Sequence, residues 1–106
     1  MNREEGMRQL AACRDRIDDV DRRLITLLNE RTRIVDEIGE LKRKLQLPIY
    51  EPRREDEVYR NVVKSNSGPL SPEALKRVFE RIIDEMRTVQ REKMLKEDAQ
   101  AGTPPE

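Results

Sequence analysis

The chain has 106 residues, enough for one domain and too few for two, with 42% charged and only 3% aromatic side chains. Lysine plus arginine balance aspartate plus glutamate at 22 each, so the whole-chain field favours neither a nucleic acid nor an anionic membrane as partner. One cysteine and no histidine exclude a disulfide framework, His/Cys metal sites and histidine acid–base catalysis.

Such a composition also suits a disordered chain, so the pattern of apolar residues has to decide. No apolar run reaches the length of a membrane span, and the first ten residues lack the apolar stretch of a secretory signal. A cytoplasmic location is the expectation. From Leu10 the apolar side chains fall at Leu10, Cys13, Ile17, Val20, Leu24 and Leu27, then at Ile34, Ile38, Leu41 and Leu45. Steps of three and four make a heptad seam, interrupted only at Arg31. No proline precedes Pro48, which predicts one helix of about ten turns.

Pro48 and Pro52 break that helix, because each biases its preceding residue away from helical geometry. Pro52 suits the first position of a second, short helix through Val58, Tyr59, Val62 and Val63, stopped at Asn66-Ser67-Gly68-Pro69. Ser71-Pro72-Glu73 then reads as a cap, a helix-compatible proline and an acid at the positive end of the dipole. The third helix carries Leu75, Val78, Phe79, Ile82, Ile83, Met86, Val89 and Met94 on one broad face. One domain over residues 1–98 and a disordered C-terminal tail over 99–106 are expected.

The resulting expectation is an all-α fold of three helices per chain, one very long. A first helix of roughly 35 to 40 residues spans roughly 55 Å, whereas a compact domain of this length is roughly 33 Å across. A single copy leaves much of the seam uncovered, which predicts an intertwined homodimer.

Several polar residues stand where apolar ones belong. Arg31 sits in the seam itself, and a buried guanidinium requires an anion; in an arbitrary helical seam such an arginine more often sets register, pairs with a nearby carboxylate or snorkels outward. Lys42 follows eleven residues later, within roughly 20° of the same helix face, and Arg14 lies beside the seam next to Cys13. Gln90 follows Met86 by four and Ile83 by seven, which puts an amide donor on the apolar face of the third helix. Glu51, Arg54 and Glu55 crowd the start of the second helix, where backbone N–H groups can hold an oxygen-bearing ligand, or where ordinary capping accounts for them. A mostly apolar pocket with cations, one amide and a carboxylate, and no nucleophile, suits binding and electrostatic preorganisation.

In the ordered set Arg14-Asp15-Arg16-Ile17-Asp18, Leu24-Ile25-Thr26-Leu27-Leu28 with Arg31, Ile38-Gly39 with Lys42, Pro48-Ile49, Arg54-Glu55, Phe79-Glu80-Arg81-Ile82-Ile83 and Gln90, the sequence resembles the all-helical class of chorismate mutases. The resemblance implies a pericyclic conversion of chorismate to prephenate, in phenylalanine and tyrosine biosynthesis, by a homodimer with shared active sites. It implies no cofactor and no metal. By position, Arg14 reaches a substrate carboxylate from the partner subunit and Arg31 holds the other carboxylate within its own chain. Lys42 and Gln90 bond the ether oxygen, Glu55 and backbone groups near Glu51 bind the ring hydroxyl, and Arg54 sits close by. Met86 departs from the pattern, since a small hydroxyl residue often stands four before the glutamine; Glu51 stands where aspartate is frequent. An isochorismate pyruvate lyase on the same fold and a non-catalytic helical dimer are the competing readings, and a partner enzyme of the shikimate pathway is a further expectation.

Overall fold

The computed structural model describes residues 1–101. Three helices follow one another, α1 over Arg3–Leu45, α2 over Pro52–Ser65 and α3 over Pro72–Ala101, and no strand occurs among the described residues. The fold is all-α, with a first helix of 43 residues. It begins seven residues before the apolar seam, at Arg3 rather than Leu10, because its start is set by a cap: Asn2 Oδ1 accepts the Glu5 N–H at 2.8 Å, and Glu4 and Glu5 occupy the positive end of the dipole. No helix among the described residues is long and apolar enough to cross a membrane.

The chain forms two units, Met1–Ile34 and a second that starts at Val35. The first is helix alone, and its seam is bare: Leu10, Ile17, Val20, Leu24 and Leu27 are all exposed, from 41% at Leu10 to 59% at Ile17 and Leu27.

The second unit contains the last turns of α1, then α2 and α3. Helices α2 and α3 pack antiparallel, as Glu55 faces Arg87 and Tyr59 faces Lys76. The end of α1 lies along α3 through long polar side chains: Lys93 Nζ stands 3.9 Å from Asp36 and 3.8 Å from Glu40, and Arg43 reaches Glu97 at 2.5 Å and Asp98 at 3.5 Å. Among the described residues, Val35 and Ile83 are the buried apolar ones and Lys42 and Gln90 the buried polar ones.

The breaks fall where proline chemistry places them. Helix α1 closes on Gln46 with φ 57°, and the Leu47 N–H returns to the Lys42 carbonyl at 2.8 Å, which is a left-handed C-cap made without glycine. Because a side chain in that region is strained, Gln46→Gly should stabilise the fold by about 0.5–1 kcal/mol. A denaturation midpoint at fixed protein concentration measures it; an unchanged or lower midpoint contradicts the strain. Asn66 ties the α2–α3 turn through its Nδ2 to the Leu70 carbonyl at 2.7 Å, and Ser71 Oγ caps α3 by accepting the Ala74 N–H at 3.1 Å.

Helix α3 runs to Ala101, so residues 99–101, expected in the disordered tail, are helical. Ala99, Gln100 and Ala101 all favour helix, and the preceding turn is held by Arg43 on Glu97 and Asp98. The rest of that expected tail, residues 102–106, lies outside the described residues.

Candidate active site

The second unit holds Lys42, Glu51, Glu55 and Gln90, the first three linked through Lys42–Glu51 and Glu51–Glu55 contacts. Lys42, 8% exposed, is drawn inward from α1 by the connecting loop: its Nζ donates to the Ile49 carbonyl at 2.8 Å and meets Glu51 Oε1 at 2.7 Å. Glu51 stands at the N-cap position of α2 without a side-chain capping bond, because its carboxylate serves Lys42 instead. One helical turn on, the Glu55 N–H bonds the Glu51 carbonyl at 3.0 Å, and the Glu55 carboxylate meets Arg87 Nη2 at 3.2 Å. One further turn along α3 lies Gln90, 9% exposed. Its Nε2 points at the Val35 carbonyl at 3.5 Å, the outer limit of a hydrogen bond, and it stands 3.9 Å from the position a Cβ would take on Gly39, one turn before Lys42.

Burial of an ammonium and an amide in so small a core is the informative feature, since such groups are disfavoured there unless they are bonded. Lys42 is met by a carbonyl and a carboxylate, whereas the Gln90 amide is met only weakly. The remaining residues expected at the site are placed differently. Arg14 and Arg31 belong to the first unit, the former exposed and the latter half-buried. Arg54 is exposed and paired with Glu57 on its own helix, so it is not brought to the Glu55 carboxylate. Met86 is half-buried on α3.

Two residues at the site, Arg87 and Tyr50, were not singled out by sequence. Arg87 places its guanidinium 5.0 Å from the Tyr50 ring centroid while pairing with Glu55 and, at 2.9 Å, with Asp84. Its spacing of three from Gln90 was the available signal, but on a helix this rich in charge one more arginine reads as solvated surface. A cleft beside Gln90, lined by Gly39, Ile49, Lys93 and Met94 among others, has a volume of about 20 Å³, room for a water rather than a substrate.

Burial raises the Tyr59 phenol above its ordinary value; Glu55, Glu80 and Asp84 push it the same way, and Arg87 opposes them. The fold therefore disfavours tyrosinate. Its contribution to stability is intact below pH about 10 and is lost as pH rises through the folded-state value. Thermal midpoints above pH about 10 should fall less steeply in Tyr59→Phe than in the parent; equal slopes contradict the assignment.

The family model for chorismate mutase type II matches residues 13–91. Among curated proteins, the chain is similar to the bifunctional chorismate mutase/prephenate dehydratase of Aquifex aeolicus (strain VF5), 37% identical over 81 residues, which cover 73% of this chain and 22% of that protein. It is also similar to the chorismate mutase of Methanocaldococcus jannaschii, 34% identical over 56 residues, 53% of this chain and 57% of the relative. Among solved structures, form II of the chorismate mutase from Thermus thermophilus superposes with a TM-score of 0.76 at 35% identity, covering 78% of this chain and 94% of that one. The chain thus spans less than a quarter of the length of the Aquifex relative.

Proposed function

The chain belongs to the chorismate mutase type II family, and from that premise we propose that it converts chorismate to prephenate as a homodimer with two active sites, each lined by both chains. The reaction breaks an ether C–O bond and forms a C–C bond in one concerted step. It exchanges no proton, electron or group with the protein. What the protein must do is hold a compact conformer and stabilise the negative charge that grows on the ether oxygen as the bond opens.

The observation that carries this reading is the burial of Lys42 and Gln90 in one small core, at 8% and 9% exposure. A charged donor and a neutral donor, fixed by protein and screened from water, suit one oxygen that becomes negative only in the transition state. Lys42 is held in place by Ile49 and Glu51, and the weak Gln90 bond to Val35 is easily given up for a better acceptor. In the same reading Glu55 accepts the ring hydroxyl, assisted by backbone groups near Glu51, and Arg54 turns from Glu57 toward the substrate. Arg31 holds one carboxylate, and Arg14 of the partner chain holds the other. Met86 supplies apolar wall where a hydroxyl is frequent in relatives.

The second copy is supported by the bare apolar face of the first unit, since exposed surface of that kind marks an interface. The relative that joins mutase and dehydratase in one chain supports a second enzyme of the same pathway as a docking partner, and the reading keeps the cytoplasmic location expected of small-molecule biosynthesis. Purified protein incubated with chorismate and, separately, with isochorismate tests the assignment. Prephenate supports it, salicylate with pyruvate points to the lyase, and no product with either leaves a non-catalytic helical dimer.

A further inference from the structure

We propose that Arg87 is a positioning residue for Glu55, fixing its carboxylate so that one oxygen is presented to the substrate hydroxyl; this role rests on the mutase reading above. Arg87 lies on the face of α3 between buried Ile83 and buried Gln90. Its guanidinium is pinned from three elements. Asp84, one turn back on α3, holds Nη2 at 2.9 Å; Glu55 on α2 meets the same nitrogen at 3.2 Å; and the Tyr50 ring of the connecting loop lies 5.0 Å from the guanidinium carbon.

Arg87 Nε is buried and meets no hydrogen-bond acceptor among the described residues. An unmet buried donor works against folding. With Nη2 committed to Asp84 and Glu55 and the guanidinium beside the Tyr50 ring, the arrangement points to what Arg87 does for its neighbour. Glu55 stands in the first turn of α2 on a side chain with several rotors, and an unheld carboxylate loses rotamer entropy when it binds a hydroxyl. Arg87 takes Oε1 and so removes that freedom in advance, leaving Oε2 as the acceptor. A planar fork lying against an aromatic ring does this better than the point charge of lysine.

The test is a double-mutant cycle in the full chain, with kcat and KM for chorismate measured in the parent, Arg87→Gln, Glu55→Ala and the double variant, and thermal unfolding recorded for each. Arg87→Gln is expected to lower kcat/KM about tenfold in the parent and to change it by less than about twofold once Glu55 is alanine. Arg87→Lys, which keeps a donor near Oε1, is expected to fall between parent and glutamine variant. Equal losses in both backgrounds, no loss in either, or a loss explained by the unfolded fraction overturns the role while leaving the mutase reading intact. A parent chain inert toward chorismate removes both.

Discussion

Replacing Lys42 by alanine is expected to lower kcat for chorismate by about 10²–10³-fold with a smaller change in KM, the effect of deleting one preorganised donor to developing negative charge. The placement of Lys42 suits the proposed work. It is 8% exposed and its Nζ lies 2.8 Å from the Ile49 carbonyl and 2.7 Å from Glu51, so in the proposed reaction it would need no reorganisation as the ether bond opens. Water entering the vacated space is a neutral donor that must itself be oriented. Folding should be affected much less, because Glu51 is 45% exposed in its side chain and can take water in place of the ammonium. Steady-state kinetics beside a thermal melt separate the two. A variant with parental kcat contradicts the assigned role, and a proportional loss of folded protein assigns the defect to stability.

The second expected result concerns the first unit. Arg14→Ala and Lys42→Ala should each be nearly inactive alone, yet chains of the two variants refolded together should recover about a quarter of parental activity. Half of the randomly formed dimers pair unlike chains. In each of these, one site draws Lys42 from the Arg14 variant and Arg14 from the Lys42 variant, and the other site lacks both. The physical motive is the seam over Met1–Ile34, whose Leu10, Ile17, Val20, Leu24 and Leu27 are exposed and whose Arg14 stands directly beside it. A mixture no more active than the sum of its parts contradicts a site built from two chains.

Much of this architecture is legible in the sequence because it is local. Heptad steps from Leu10 to Leu45, the proline pair at 48 and 52 and the Ser71 cap each act within a turn or two of themselves, and all three helices begin or end close to those marks. Lys42 and Gln90 are legible for the opposite reason, as polar residues on faces that should be apolar, and among the described residues they are the buried polar ones. The Glu55–Arg87 pair and the Tyr50 stack join residues far apart in the chain, which no periodicity encodes. The left-handed Gln46 was hidden because the position lacks the glycine that announces such a cap. Helix α3 continues past its last apolar positions, which periodicity does not announce, because the turn around Glu97 is held by Arg43.

Formation of prephenate from chorismate by the purified full chain is the most direct measurement of the proposed function. Prephenate should appear in step with chorismate loss, many orders faster than in buffer, and about 10²–10³-fold more slowly in Lys42→Ala of equal thermal stability. Chorismate disappearing no faster than in buffer, with the chain folded and dimeric, contradicts that function.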